Sequence, residues 1–178
     1  MGTIAIPDPS LVVLVGAAGA GKTTFAARHF GGDEPLSSDA FRELLSGDAA
    51  DQRRSRAAFS LLHREVVRRL AAGRIVVVDA TNIERHARRA LVTRARLAGV
   101  PAVAIVLALP AMVVHERNAG RSSRVVDPAV VDRHLERLAA TIAAGEIADD
   151  GFAAVYVLRS AAEVDGVTVQ RGAEAATD

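Results

Sequence analysis

Short apolar runs alternate along the chain with longer stretches in which apolar residues recur at helical spacing. The short runs predict five strands, at residues 11–15, 35–37, 74–79, 102–109 and 153–158. The runs around Val77 and Val106 are continuously apolar, which is typical of strands buried on both faces of a parallel sheet.

The longer stretches predict helices at residues 22–30, 40–45, 51–72, 84–98, 111–118 and 128–144. Gly73 and Gly99 each follow one of these helices, in a position that favours a left-handed residue. Asp127 and Pro128 suit the N-cap and the first turn of the last helix. Strands that alternate with helices in this way predict an α/β fold built around a parallel sheet.

The chain of 178 residues is long enough for one domain with a sizeable core, and we expect a single domain over residues 1–178. Residues 1–10 and 172–178 are predicted to be loose ends. Residues 164–171 are predicted to add a final strand or hairpin.

Composition narrows the class of protein. Cysteine is absent, which excludes disulfides and thiolate metal sites and fits a reducing compartment, so we expect a cytoplasmic protein without a membrane span. The net charge of +1 argues against a broad, non-specific surface for nucleic acid. Among 22 Lys and Arg residues, Lys22 is the only lysine. Lysine offers a compact ammonium where arginine offers a planar fork, so Lys22 is a candidate functional residue.

One segment has the spacing of a phosphate-binding P-loop, G-x-x-x-x-G-K-[ST]. It lies between a predicted strand and a predicted helix and comprises Gly16, Ala17, Ala18, Gly19, Ala20, Gly21, Lys22 and Thr23. Backbone N–H groups of such a loop cradle phosphates, and the helix that follows adds the positive end of its dipole. The pattern predicts ATP and Mg²⁺ as ligands, with Lys22 on the phosphates, Thr23 on the metal and Thr24 beside the nucleotide.

Asp79 ends the third predicted strand, at the edge of the sheet where ligands bind in open α/β folds. It is predicted to help hold Mg²⁺, and the alternative is a cap for the helix that follows. Arg85, Arg88 and Arg89 lie in the first turns of that helix, where positive charge is locally unfavourable. Either something anionic lies nearby, or the helix tolerates these charges.

Asp39 and Arg42 follow the second predicted strand and are spaced one helical turn apart. A kinase needs a carboxylate near the acceptor hydroxyl to take its proton, and Asp39 is placed for that role. Arg42 would then hold an anionic group on the acceptor. The alternative is that Asp39 caps the helix and Arg42 is a solvated surface residue.

Residues 115–127 have the pattern of a helical lid. Arg117 and Arg121 are spaced to share a helical face, and Gly120 with the following serines provides a flexible break. Arginines brought in by lid closure stabilise the charge that develops on a transferring phosphoryl group. The alternative is an ordinary solvated helix end rich in arginine.

Several segments together resemble the kinase module of bacterial polynucleotide kinase-phosphatases, in order and at compatible spacing over about residues 11–171. The most selective are S-S-D-x-x-R, D-A-T-N and E-R-N-x-x-R. The resemblance implies a P-loop kinase-type five-stranded parallel sheet with a helical lid, and transfer of the ATP γ-phosphate to a 5′-hydroxyl of DNA or RNA. It assigns Lys22 and Thr23 to nucleotide and metal and Asp39 to the general base.

The resemblance also assigns Arg42 to the acceptor's 3′-phosphate and Arg117 and Arg121 to the ATP phosphates. It places residues 159–162 close to the adenine. Because the family usually fuses this module to phosphatase or ligase domains, it further implies a separate phosphatase or ligase partner.

Three functions stay open from the sequence. The first is a 5′-hydroxyl polynucleotide kinase that binds a short stretch of nucleic acid. The second is a kinase for a small molecule such as a nucleoside, sugar or antibiotic. The third is a non-catalytic NTP-binding switch, against which an acceptor base at Asp39 would argue.

Overall fold

The apolar runs become strands in the computed structural model, which describes residues 2–48, 53, 55–121 and 125–172. The strands are β1 (Thr3–Ile6), β2 (Leu11–Val15), β3 (Pro35–Ser37), β4 (Val76–Asp79), β5 (Ala102–Leu107), β6 (Ala154–Leu158) and β7 (Thr168–Arg171). Five of them form one parallel sheet in the order β3-β4-β2-β5-β6, as the alternating pattern predicts. The central strand is β2, so the loop that follows it emerges from the middle of the sheet.

Helices cover both faces of this sheet. They are α1 (Lys22–His29), α2 (Ser38–Ser46), α3 (Ser55–Ala71), α4 (Arg85–Leu97), α5 (Ala111–Ala119), α6 (Pro128–Ala143) and α7 (Ala161–Gly166). A short 3₁₀ turn at Ala148–Asp150 precedes β6. No helix among the described residues is both long and apolar enough to cross a membrane.

Alternate residues of the central strand serve two separate cores. Val12 and Leu14 pack with residues of α1 on one face. Leu11, Val13 and Val15 pack with residues of α3 and α4 on the other. Every residue of β2 is therefore buried, which explains why its sequence is continuously apolar.

The N-terminal residues correct one prediction. Residues 3–6, predicted to belong to a loose end, form β1 and pair in parallel with β7. Ile4 and Ile6 alternate with residues that face outward, and both are buried in the core that contains α1. The Tyr156 hydroxyl also accepts a hydrogen bond from the Ala5 backbone N–H at 3.2 Å. Two apolar side chains at strand spacing were thus a signal for a buried strand.

Element boundaries differ modestly from the prediction. Of the two alternatives predicted for residues 164–171, the strand is confirmed: β7 follows the short helix α7 and pairs in parallel with β1. The second helix begins at Ser38, two residues before its predicted start. The predicted start of the third helix at residue 51 and the loose end at 173–178 lie outside the described residues.

Candidate active site

The loop between β2 and α1 fits tightly against the neighbouring helix α5. Gly21 has φ +93° and is the N-cap of α1. Gly19 has φ +89°, and a Cβ there would lie 2.7 Å from the Val114 carbonyl oxygen. Only glycine accommodates both the left-handed backbone and the close approach. The P-loop glycines predicted from spacing therefore have a steric reason in the structure.

Lys22 reaches back beneath the loop that precedes it. Its ammonium donates hydrogen bonds to the carbonyl oxygens of Gly16 at 2.9 Å and Ala17 at 2.8 Å. Burial lowers the pKa of Lys22 to about 8, with Asp79 opposing that effect and Arg121 adding to it. A buried ammonium with two carbonyl partners is held close to the inside of the loop, where phosphate oxygens would replace the carbonyls as partners.

Thr23, in the first turn of α1, contacts Asp79, the last residue of β4. Strands β2 and β4 are adjacent, with Leu14 in register with Asp79. The Thr23 hydroxyl donates a hydrogen bond to Oδ2 of Asp79 at 2.7 Å. A hydroxyl and a carboxylate are the oxygen ligands that suit Mg²⁺. The N-cap of α4 is Glu84, so the alternative interpretation of Asp79 as a helix cap is wrong.

A cavity of about 400 Å³ lies against the loop and is called here the P-loop cavity. Its walls include Gly19, Gly21, Lys22, Thr23, Thr24, Arg28, Arg117, Arg121, Val164 and Asp165. The volume is within the range of roughly 300–1,000 Å³ usual for small-molecule sites. Val164 and Asp165, on α7, form its wall shortly after the segment 159–162 that was predicted near a nucleobase.

The two arginines predicted to act from the lid both line this cavity, but they do not share a helix. Arg117 lies in α5, and its Nη1 donates to the Ala20 carbonyl oxygen at 3.4 Å. Arg121 lies beyond Ala119, the last residue of α5. Gly120 is the C-cap of α5, so Arg121 lies outside the helix and the two arginines do not share the predicted helical face. Residues 122–124 of the predicted lid lie outside the described residues.

Asn118 makes hydrogen bonds across the two ends of the segment that contains Arg121. Its Nδ2 donates to the Val126 carbonyl oxygen at 2.7 Å, and its Oδ1 accepts from the Val126 N–H at 3.1 Å. The side chain is buried. The E-R-N-x-x-R segment contains Asn118, but no role for this residue was predicted from the sequence. An amide next to a predicted loop was the available signal.

A second cavity of about 600 Å³ lies beside the first and is called here the Asp39 cavity. Its walls include Ala18, Lys22, Thr23, Ser38, Asp39, Arg42, Phe59, Asp79, Arg121, Asp127 and His134. Lys22, Thr23 and Arg121 also line the P-loop cavity, so the two cavities meet at these residues.

Asp39 and Arg42 form an ion pair in the first turns of α2, one helical turn apart as their spacing predicts. Arg42 is buried, so its interpretation as a solvated surface residue is wrong. The N-cap of α2 is Ser37, whose hydroxyl accepts from the Asp39 N–H at 3.2 Å, so Asp39 is not the cap. The side chain of Asp39 is 45% exposed and faces the cavity rather than the core.

The arginines at the start of α4 have anionic partners within the chain. Arg88 is fully buried, and its Nε donates to Oδ2 of Asp150 at 2.6 Å. Arg85 pairs with the same carboxylate at 3.2 Å. Arg89 is exposed. Of the two alternatives left open by the sequence, the nearby anionic group therefore holds for Arg85 and Arg88: it is Asp150, which lies 62 residues along the chain from Arg88.

Two further residues of the site were not singled out by sequence. Asn82, at φ +48°, is buried and donates to the Leu14 carbonyl oxygen at 2.8 Å. It thereby ties the loop after β4 to the end of β2. His134 of α6 lines the Asp39 cavity, and burial lowers its pKa, with Lys22 and Arg133 adding to the effect. The asparagine of D-A-T-N was a recognisable signal, because asparagine tolerates a positive φ. Nothing local in the sequence pointed to His134.

Solved structures share this fold at low sequence identity. A chain in the structure of the Pnkp1/Rnl/Hen1 RNA repair complex has a TM-score of 0.65 at 23% identity, covering 77% of this chain and 46% of that one. A putative kinase from Chloroflexus aurantiacus J-10-fl has a TM-score of 0.61 at 19% identity, covering 85% of each chain. A gluconokinase from Sinorhizobium meliloti 1021 has a TM-score of 0.54 at 19% identity, covering 90% of this chain and 87% of that one.

This chain thus spans less than half of its counterpart in the RNA repair complex. No curated protein is similar enough to be matched. The AAA_33 family model, described as an AAA domain, matches residues 11–144, which contain the P-loop, Asp39, Asp79 and the lid arginines. The chain therefore belongs to this AAA domain family and has a P-loop kinase-type α/β fold with a nucleotide-binding loop.

Proposed function

We propose that this protein is an ATP-dependent phosphotransferase that phosphorylates the 5′-hydroxyl end of DNA or RNA. The observation that carries the proposal is the meeting of the two cavities at Lys22, Thr23 and Arg121. One cavity contains the phosphate-binding loop, and the other contains the Asp39 carboxylate. A phosphoryl group held where they join would be within reach of an acceptor in the second cavity.

The roles follow from the chemistry of in-line transfer. The acceptor hydroxyl oxygen forms a bond to the γ-phosphorus, the bond from that phosphorus to the β–γ bridging oxygen breaks, and ADP leaves. Asp39 takes the proton of the hydroxyl as the new bond forms. Lys22, Arg117 and Arg121 supply positive charge where the equatorial oxygens gain negative charge.

Thr23 and Asp79 are the residues that would hold Mg²⁺. They supply a hydroxyl and a carboxylate 2.7 Å apart at the mouth of the P-loop, and both line the Asp39 cavity. Bound there, the ion would neutralise phosphate charge and orient the nucleotide. Thr24 lies beside Thr23 on the wall of the P-loop cavity and is proposed to contact the nucleotide.

The preference for an acceptor that carries a phosphate rests on Arg42. Arg42 pairs with Asp39, but a guanidinium has five N–H donors, so this buried side chain on the cavity wall can also bind an anionic group of the acceptor. In a nucleic-acid end, that group is the 3′-phosphate next to the 5′-hydroxyl. The motifs S-S-D-x-x-R and E-R-N-x-x-R, and the fold shared with a chain of an RNA repair complex, support the same class of acceptor.

A small-molecule kinase is the alternative, and one observation favours it. The gluconokinase resembles this chain over nearly the full length of both, and the Asp39 cavity is large enough for a sugar. A non-catalytic switch is less well supported, because a switch needs no carboxylate beside a second cavity.

The test compares acceptors with labelled ATP and Mg²⁺. We expect transfer to a 5′-hydroxyl oligonucleotide and to a nucleoside 3′-monophosphate, and poor transfer to the bare nucleoside. Arg42→Ala should erase the difference between the last two while leaving ATP binding unchanged. Preferred transfer to a sugar or drug over every 5′-hydroxyl oligonucleotide would instead establish the small-molecule activity.

A further inference from the structure

A groove on the outer face of α3 lies next to the Asp39 cavity. It is lined in part by Arg56, Phe59, His63, Arg64, Arg68 and Arg94, and is called here the α3 groove. Phe59 lines both the groove and the Asp39 cavity, so the two adjoin at this side chain. A ligand that extends beyond the Asp39 cavity on this side would pass over Phe59 into the groove.

The positive charge of the groove is largely uncompensated. Within the described residues, no carboxylate forms an ion pair with Arg56, Arg64 or Arg94. Arg68 is different, because it pairs with Glu65 at 2.7 Å. Burial, together with Arg94, lowers the pKa of His63 to about 4, so His63 is neutral at pH 7. Since the whole chain has a net charge of only +1, these arginines form a local positive site.

The spacing of the groove residues matches an extended ligand. The groove residues of α3 recur at intervals of three and four positions, so they form one stripe along the helix. The stripe consists of Arg56, Phe59 or Ser60, His63 or Arg64, and Val67. Arg56 and Arg64 are eight residues apart, which is about 12 Å along a helix. The rings of Phe59 and His63 lie 6.4 Å apart between centroids and provide flat surfaces beside the two arginines. Charges that alternate with rings suit a single strand, whose phosphates and bases also alternate.

We propose that the α3 groove binds the acceptor strand beyond its first phosphate, with Arg56 and Arg64 each on a phosphate and Phe59 beside a base. The proposal rests on the proposed function, because it extends the acceptor held by Asp39 and Arg42. With Arg42, it gives a footprint of about three phosphate contacts. A longer footprint would require more local positive charge than the groove supplies.

The test measures KM for a nucleoside 3′-monophosphate and for a single-stranded 5′-hydroxyl octanucleotide. The wild-type protein should have a clearly lower KM for the octanucleotide. Arg56→Gln combined with Arg64→Gln should raise that KM about tenfold and reduce the log–log salt slope by about 1.4, at about 0.7 for each single-strand phosphate contact. The KM for the monophosphate should not change, because it does not reach the groove.

A matched control removes two arginines elsewhere. Arg89→Gln combined with Arg96→Gln changes the net charge by the same amount on α4, and should leave both KM values unchanged. Binding of the same fluorescent octanucleotide, measured by anisotropy without ATP, should weaken only in the Arg56/Arg64 variant.

The outcomes separate the two proposals. Equal KM values of the wild-type protein for the monophosphate and the octanucleotide would overturn the groove and leave the proposed function standing. An equal rise of the octanucleotide KM in both double variants would also overturn the groove proposal, because it would show a general effect of net charge. Octanucleotide binding that needs Arg56 and Arg64 without any transfer would support the groove and overturn the acceptor assignment. The absence of both octanucleotide binding and transfer would overturn both proposals.

Discussion

The side chain of Asn118 and the backbone of Val126 make two hydrogen bonds to each other, at 2.7 and 3.1 Å. These bonds close a loop whose first residues include Arg121, which lies at the junction of the two cavities. Asn118 also packs against the P-loop, since a Cβ added to Gly19 would lie 3.0 Å from the Cβ of Asn118. One buried amide therefore contacts both Val126 and the P-loop.

Removing this amide should impair both stability and transfer. Asn118→Ala leaves the N–H and C=O groups of Val126 without their partner, at a cost of roughly 1–3 kcal/mol for each buried group. We expect a lower melting temperature and kcat reduced about tenfold at a temperature where the variant is fully folded, a barrier increase of about 1.4 kcal/mol. Normal kcat in the folded Ala variant would show that the hydrogen bonds between Asn118 and Val126 do not position Arg121.

Lys22 should be needed for chemistry rather than for folding. Lys22→Ala removes positive charge from the site of the transferring phosphoryl group, so transfer should fall by at least about a hundredfold. Circular dichroism and thermal melting check the fold. Lys22→Arg keeps the charge but not the compact ammonium, and should restore little activity. A loss below about tenfold in the folded Ala variant would contradict the assignment.

Asp39 should act as the base for the acceptor hydroxyl. Asp39→Asn keeps the size of the side chain but cannot accept the proton, so transfer should be largely abolished with near-normal ATP binding. Stability should fall by roughly 1–3 kcal/mol, because buried Arg42 loses its charged partner while Ser37 still provides the cap, so activity is compared at a temperature where the variant is folded. Glu43→Gln, on the same helix, is the control and should keep full activity. Retained activity in Asp39→Asn would return Asp39 to a structural role.

Arg88 should be important for stability and not for transfer. Arg88→Met leaves buried Asp150 with only the partly exposed Arg85 as its partner, which costs up to roughly 3–5 kcal/mol. Replacing both residues, as in Arg88→Met with Asp150→Leu, should recover much of that loss. The control Arg89→Met removes an exposed charge and should change the free energy of unfolding by less than about 0.5 kcal/mol. Chemical denaturation measures all three variants, and a small effect of Arg88→Met would show that Asp150 is easily hydrated.

Stability should fall in mild acid, partly through His63. Burial and Arg94 lower the pKa of His63 to about 4, whereas an unfolded histidine titrates near 6.5. The unfolded chain therefore binds more protons between these values, and the free energy of unfolding falls as pH drops from 6.5 towards 4. His29 and His134 have pKa values lowered by burial as well and act in the same direction.

Urea denaturation at pH 7 and pH 5 tests this. His63→Gln should reduce the difference between the two pH values, because glutamine does not titrate. The exposed His86 is the control, and His86→Gln should leave the wild-type difference in place. An unchanged difference in His63→Gln would mean that His63 stays solvated enough to bind its proton when folded.

Local patterns determined much of this protein. The P-loop needs glycines at two left-handed positions and a lysine and threonine directly after them, so eight consecutive residues define it. The five strands of the main sheet were predicted because burial on both faces requires unbroken apolar runs. The placement of Asp39 and Arg42 one helical turn apart on α2 followed from helical spacing, whereas their ion pair with each other was not predicted.

Tertiary structure decided what depends on residues far apart in the sequence. Asp150 neutralises Arg88 from 62 positions away, and the N-terminal residues gain a partner strand only because β7 returns beside them. His134 and Asp39 line one cavity although they lie on separate helices. Periodicity states which face of an element is apolar but not which distant element will cover it, so ion pairs and cavity walls of this kind become visible only when the chain is folded.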